Sequence, residues 1–341
     1  MRILVTGGSG FLGSRLIPKL VNDGHEVFAL ARSASSGETV RALGAQPVNG
    51  DLEDSAPIPL PSLDAAVHAA AHFRFAGPRE PYFRANVDGT IALLKAVRDA
   101  GATRLIHIGA AGVIMDDRGS PIRNADESAP TFPKSFSAYV ASKARSEAAV
   151  LAADTPDFRT IVLRPPAIWG PGDAFGHAIP QAIGSGRFSF VDGGDYPFAT
   201  CHVDNVVEAV QCALASGAGG RAYFINDREA TTFREFIAML ANRQGLSIDD
   251  IRSVPYPLAF VLGRLMEVGA AIRRSPDDPP LTRTMVRMIG REFTTDDGAA
   301  RRELGYVGRV SRAEGLATYG GAAGSDHGEF TGQRPTPGQR Q

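Results

Sequence analysis

Cysteine is nearly missing from this chain: 341 residues hold two, Cys201 and Cys212. That excludes a disulfide framework, and their positions do not match metal-ligand spacing. Two half-buried thiols in a reducing compartment are expected instead. An excess of one charge is also lacking. Thirty-six Lys and Arg face 37 Asp and Glu, for a net charge of -1, and there is no long basic run. Nucleic acid is therefore not expected as a main partner. Nor does any apolar run reach spanning length. The longest, 257–272, contains Arg264 and Glu267. It reads as a buried helix or a lid over a substrate site, without stable membrane insertion. No signal core precedes the first glycines, because Met1-Arg2 runs straight into Ile3-Leu4-Val5. A cytoplasmic protein without a metal site is expected.

What is present is a strand–helix alternation. Short apolar runs at 3–5, 27–30, 65–69, 104–108 and 160–163 read as strands, with 46–48 as a further short one. Helix-period apolar residues lie between them, such as Val87, Ile91, Leu94 and Val97. This pattern implies an α/β fold, a doubly wound parallel sheet covered on both faces. After Arg164 the alternation becomes irregular and rich in Pro and Gly. Helices are expected near 205–216, 233–244, 258–272 and 311–319. We read 1–165 as a dinucleotide-binding Rossmann domain to which later segments return. Residues 166–319 form mainly a smaller, interleaved substrate-binding lobe, and 320–341 a disordered tail.

Two motifs carry chemistry. The first is Thr6-Gly7-Gly8-Ser9-Gly10-Phe11-Leu12-Gly13. Gly7, Gly10 and Gly13 follow a strand and open a helix. That arrangement permits a tight turn, close approach to a pyrophosphate and close helix–strand packing. Backbone N–H groups at the helix start, Phe11 and Leu12 among them, can then face phosphate. The second strand ends Ala29-Leu30-Ala31-Arg32-Ser33, with no acid for a ribose 2′-hydroxyl. Arg32 suits a 2′-phosphate instead, which favours NADP over NAD and leaves NAD possible.

The second motif is Tyr139-Val140-Ala141-Ser142-Lys143. Four residues apart on a helix, Tyr139 and Lys143 share one face. A free phenol has a pKa of about 10, and a neighbouring ammonium favours its ionised form. The pair suits proton exchange with an alcohol or ketone during hydride transfer. Lys143 would also hydrogen bond a nicotinamide ribose. The substrate lobe is aromatic around Trp169, Phe175, Phe188, Phe190, Tyr196 and Phe198, and Trp169 is expected to face an apolar pocket.

With these motifs the chain resembles the extended short-chain dehydrogenase/reductase superfamily. Gly50-Asp51-Leu52, Val67-His68-Ala69-Ala70-Ala71, Asn86-Val87-Asp88-Gly89-Thr90 and His202-Val203-Asp204-Asn205-Val206 add to the likeness. Within it the chain is most similar to the 3β-hydroxysteroid and sterol dehydrogenase branch. Arg164-Pro165-Pro166 with Trp169-Gly170-Pro171, the helix after Pro255-Tyr256-Pro257, and Arg302-Glu303-Leu304-Gly305-Tyr306 carry this. The resemblance implies an NAD(P)-dependent oxidoreductase that interconverts a secondary alcohol and a ketone on a small hydrophobic, steroid-like substrate. It implies that Asp51 and Leu52 contact the adenine and that Ala69 and Ala70 line the cofactor. Asn86 would support the backbone near Lys143, and Pro165 would lie near the carboxamide. It also implies a homodimer. A nucleotide-sugar epimerase or dehydratase is the alternative. Against it, Pro165, Pro166 and Ala167 stand where such epimerases usually carry an Asn after the strand Arg. A cofactor-binding protein without turnover is the third reading.

One position departs from the pattern. The superfamily places a Ser or Thr after the fifth strand to hydrogen bond the substrate oxygen. Here Ile108-Gly109-Ala110-Ala111-Gly112-Val113 has no hydroxyl, and Ala110 occupies the site. Ser137 or Thr131, a water or a substrate group would have to substitute, unless turnover has lapsed. One such donor contributes roughly 2.7–4 kcal/mol to a transition state. Ala110→Ser should therefore raise kcat on the true substrate, by about tenfold or more. A fall in kcat, with folding and cofactor affinity unchanged, would refute the missing-donor argument.

Overall fold

The computed structural model describes residues 1–54, 58–173, 175–275 and 277–319. The expected tail, 320–341, lies outside the described residues. Seven strands form one parallel sheet: β1 (Arg2–Thr6), β2 (Glu26–Ala31), β3 (Gln46–Asn49), β4 (Ala65–His68), β5 (Arg104–Ile108), β6 (Arg159–Arg164) and β7 (Arg221–Phe224). Their order is β7-β6-β5-β4-β1-β2-β3, in register Val5↔Ala29, Val5↔Val67 and Ile106↔Ile161. The winding direction reverses at β1, which lies between β2 and β4. That is the switch point where such sheets bind ligands beyond the strand C-termini.

Alternation along each strand sends side chains to opposite faces. Ile3 and Val5 pack with Val27, Val67, Ile106 and Leu163 on one face. α1 (Phe11–Asn22) contributes Leu16, Ile17 and Leu20 there. Leu4, Phe28, Ala66, Leu105 and Val162 point the other way. They pack on Leu93, Leu94 and Val97 of α3 (Gly89–Asp99) and Val150 of α4 (Ala138–Ala152). α2 (Ala34–Ala42) bridges β2 and β3, started by a reciprocal Ser33–Ser36 cap. α5 (Val203–Ala215) covers the same face as α1, through Val206 and Val210.

A third cluster lies outside the seven-stranded sheet. Phe233, Phe236, Ile237 and Leu240 of α6 (Phe233–Asn242) pack with Trp169, Phe190 and Phe198. Trp169 thus corrects the pocket expectation, because it is fully buried and its Nε1 donates to Asp227 at 2.6 Å. Asp227 also accepts from Thr200 Oγ1, the His202 N–H and Asn205 Nδ2. A carboxylate satisfied four times over makes this corner a structural hub. The run at 257–272 brings a second correction. α7 (Tyr256–Arg273) buries only Tyr256, Ala259 and Gly263, and most of its large apolar side chains face outward. A short helix, α8 (Arg283–Ile289), packs beside it. Among the described residues no helix is long and apolar enough to cross a membrane.

α4 enters the interior between sheet and lobe. Ser137 caps it by accepting from the Val140 N–H. One turn from its end, Glu147 takes a two-pronged pair from Arg164 at the end of β6, with Nε to Oε2 at 2.9 Å. Both side chains are almost wholly buried. Removing one partner of such a pair strands the other charge, at a cost of roughly 3–5 kcal/mol. Glu147→Leu is therefore expected to destabilise the fold by about that amount in urea denaturation. A loss under about 1 kcal/mol would show the pair to be dispensable.

Candidate active site

Tyr139 and Lys143 meet the chain as it leaves β4 and β5. Lys143 is 2% exposed, and its Nζ donates to the Ile108 carbonyl at 2.6 Å, at the end of β5. Burial pulls its ammonium down to about 8, against the opposing charge of Glu147. Tyr139 is pushed up to about 12 by burial. Phe73, in the loop after β4, lies edge-on to its ring at 4.7 Å. In the protein alone Lys143 is committed to a backbone carbonyl, and desolvation makes the phenol harder to ionise. At neutral pH Tyr139 is a proton donor, and it becomes a base only with further positive charge beside it.

Asn86 holds the surrounding pieces together. It lies in a π-helical turn, Arg84–Asp88, ahead of α3. Its Oδ1 accepts the His72 N–H at 2.7 Å, and its Nδ2 donates to the His72 carbonyl and to Ser142 Oγ. Ser142 Oγ donates in turn to the Tyr139 carbonyl. Asn86 thus ties the loop bearing Phe73 to the helix bearing Tyr139.

Sequence reading missed a second, largely buried chain. The Ala70 N–H donates to Thr6 Oγ1, which lies 2.7 Å from His68 Nδ1. His68 Nε2 lies 2.9 Å from Thr90 Oγ1, which itself donates to the Asn86 carbonyl. A hydroxyl whose proton is already given away must accept from His68. The ring is therefore protonated on Nε2 and takes the Thr6 hydroxyl on Nδ1. Burial, then the charge of Lys143, holds His68 down to about 3, so it stays neutral. His107 on β5 lies 5.0 Å away, ring to ring, and is held low by the same causes. The signal for His68 was in Val67-His68-Ala69, but only the neighbouring alanines drew attention.

The glycine loop fits a dinucleotide. A Cβ on Gly7 would lie 2.7 Å from the Ala70 nitrogen, and one on Gly13 would be 2.5 Å from Gly8 Cα, so neither position admits a side chain. A Cβ on Gly10 would meet only the Gly7 carbonyl, at 3.3 Å, and would project into the space in front of α1. Gly10 caps α1 with no side-chain hydrogen bond, and the first intrahelical donor is Ser14. The N–H groups of Phe11, Leu12 and Gly13 therefore remain available to an anion. Ala69 and Ala70 flank this cradle. Arg32 stands exposed at the end of β2. Asp51 accepts the Glu53 N–H at 3.0 Å, closing a turn. Leu52 packs on Gly89 at the start of α3. The Pro165 carbonyl accepts the Ala111 N–H, fixing the segment after β5. Ala110 is buried there, with no hydroxyl on its own segment.

The 3-beta hydroxysteroid dehydrogenase/isomerase family matches residues 4–256. The chain belongs to that family. It is accordingly an extended short-chain dehydrogenase/reductase, an oxidoreductase with a nicotinamide cofactor. It is 40% identical over 319 residues to a 4-hydroxy-2-methyl-3-oxo-4-farnesyl-3,4-dihydroquinoline-1-oxide ketoreductase of Stigmatella aurantiaca, covering 93% of this chain and 95% of that protein. A 2-alkyl-3-oxoalkanoate reductase of Stenotrophomonas maltophilia is 33% identical, covering 93% and 97%. Among solved structures, the dTDP-glucose 4,6-dehydratase DesIV of Streptomyces venezuelae, with NAD and TYD bound, superposes with a TM-score of 0.71. It is 26% identical and covers 94% of this chain and 96% of that one.

The four lysines of this family member, Lys19, Lys95, Lys134 and Lys143, make its amines separable by nitrogen NMR. One should titrate near 8 and be lost in Lys143→Met. A midpoint near 10.5 for that signal would show that the amine is solvated.

Proposed function

We propose that this family member interconverts a ketone and a secondary alcohol on an apolar substrate, preferring NADP. The observation that carries this reading is Tyr139. It is a proton donor at neutral pH, on the same helix as a buried ammonium and beyond the sheet end that also holds the dinucleotide cradle. When bound, the nicotinamide gives hydride to the carbonyl carbon or takes it from the alcohol. Tyr139 gives its hydroxyl proton to the carbonyl oxygen, or takes it back in the reverse direction. Lys143 offsets the charge left on the phenol oxygen. Asn86 and Ser142 keep the tyrosine in place. With Ala110 unable to donate, Ser137, which caps the helix that carries Tyr139, would replace it. Its oxygen accepts from the Val140 N–H, and its own proton has no partner among the described residues.

The names of two relatives support the direction and the class. Each denotes reduction of a carbonyl, one on a farnesyl-bearing ring and the other on an alkyl chain. Phe73, 47% exposed beside Tyr139, and Phe75 behind it offer an apolar approach to the same hydroxyl. NADP is favoured because Arg32 is exposed and β2 ends without an acid. The residues implied by resemblance, Gly7, Gly10, Gly13, Asp51, Leu52, Ala69, Ala70 and Pro165, would hold the rest of the cofactor. α3 and α4 would pair two subunits.

A panel of alkyl and prenyl ketones, with steroids and UDP-sugars as competitors, tests this. NADPH-dependent reduction of an apolar ketone is expected, and Tyr139→Phe should lose about 10²–10⁴ of it. Reduction should stay level below pH 8, where Lys143 keeps its proton, and decline above it. Alcohol oxidation, which needs the phenolate, should rise with pH. Arg32→Gln should lose about tenfold in preference for NADPH over NADH. UDP-sugar turnover without net NADPH use, or full activity in Tyr139→Phe, would overturn the reading.

A further inference from the structure

The segment 72–76 passes over Tyr139 with no helix or strand of its own, yet three side chains hold it in one shape. Asn86 takes both backbone groups of His72. Tyr82, 2% exposed, shares its hydroxyl proton between the Arg74 and Ala76 carbonyls, at 3.0 and 2.9 Å. Both come from the turn just beyond the segment and fix its root. The third hold comes from far along the chain. Asp278, in the connection between α7 and α8, accepts the Phe75 N–H at 2.9 Å and the Ala76 N–H at 3.2 Å. It also pairs with the Arg74 guanidinium at 3.1 Å. Bonds to a carboxylate of this kind are roughly twice as strong as neutral ones.

What this clasp positions is Phe73. Its ring lies edge-on to Tyr139 at 4.7 Å and against Phe75 at 4.9 Å. Phe73 is itself 47% exposed and Tyr139 is half-buried, so on this side the Phe73 ring is the outermost cover between the phenol and water. The cover has a chemical effect, because burial alone pushes Tyr139 up to about 12. The titratable groups on its own helix and on the segments that cover it do not oppose this. Lys143 is committed to the Ile108 carbonyl, and Arg74 and Asp278 neutralise each other. His72 is held below its usual value by burial and by Arg74, which keeps it uncharged.

We propose that Phe73 is a cap on Tyr139 and that Asp278 is the positioning residue that keeps it shut. Closed, the cap holds water away from the phenol. Released from Asp278, the segment stays fixed at its root by Asn86 and Tyr82 while its outer edge lifts, opening Tyr139 to an entering apolar molecule. The cap itself rests on the geometry of the substrate-free protein. Its use, admitting a ketone and then excluding water from the proton transfer, rests on the role proposed for Tyr139 above.

Titration of the Tyr139 phenol in the full chain, without cofactor or substrate, tests the cap. Carbon NMR of tyrosine labelled at the hydroxyl-bearing carbon reads it, with Tyr139→Phe assigning the signal. Phe73→Ala should bring the midpoint down toward the ordinary phenol value of about 10, a gain of roughly tenfold or more in acidity. Asp278→Ala should lower it by a similar amount, and the double variant should go no further, because both changes open the same cap. In alcohol oxidation the rising limb of the pH profile should move down by the same interval. A midpoint unmoved by Asp278→Ala, in a chain that circular dichroism shows folded, would overturn the proposal, and so would additive shifts. Should Asp278→Ala not fold, Asp278→Asn keeps an acceptor for the N–H groups and loses the Arg74 pair. It too must lower the midpoint, and no shift in it would also sink the clamp. The titration needs no turnover, so it stays readable if no ketone is reduced, and an unmoved midpoint leaves the ketone assay standing.

Discussion

A buried ammonium governs the design of this site. Removing a charge from water is costly, and Lys143 is held by one carbonyl at close range and by the field of Glu147 one turn further on. Glu147 is itself buried, so it needs Arg164, and Arg164 is fixed by ending β6 and by lying over the Phe224 ring at 5.2 Å. The charge at the reaction centre is thus supported through a sequence of burials, each of which needs the next. The same burial that keeps Lys143 poised keeps the Tyr139 proton in place until another positive charge arrives. The resting protein therefore holds its acid ready and its base suppressed.

Neutral polar groups do the complementary work. Thr6, His68 and Thr90 form a chain of hydrogen bonds in which each donor and acceptor has one assignment, and it runs from the glycine loop to Asn86. A fully satisfied buried network of this kind fixes geometry more than it adds stability. It sets the dinucleotide cradle and the Tyr139 helix in one frame, although the two lie far apart in the chain.

Most of the sheet was legible because parallel strands buried on both faces leave short, unmixed apolar runs bounded by turn residues. Six of its strands were read within a residue or two of their ends. β7 was not, because Arg221–Phe224 is four residues long and lies far from the alternating half. The glycine loop and the Tyr–Lys pair were legible because their chemistry demands fixed spacing. Trp169 and α7 were misread for a shared reason: composition reports that a side chain is apolar but not which way it points. Trp169 turned inward because its N–H found Asp227, and α7 turned its large apolar side chains outward because small residues were needed against Thr282. The direction of Lys143 was also beyond sequence, since its partner is a main-chain oxygen with no side-chain signature.

The return of β7 to the sheet has a consequence for how this protein can be recombined. β7 pairs with β6 along Arg221↔Ile161 to Phe224↔Arg164, and it is reached only after the chain has already passed through part of the smaller lobe. A cut near residue 165 would leave β6 as a raw edge, with unpaired backbone groups inviting aggregation. Chimeras that exchange the segments after residue 165 between relatives must therefore leave this strand with the sheet, as a discontinuous graft.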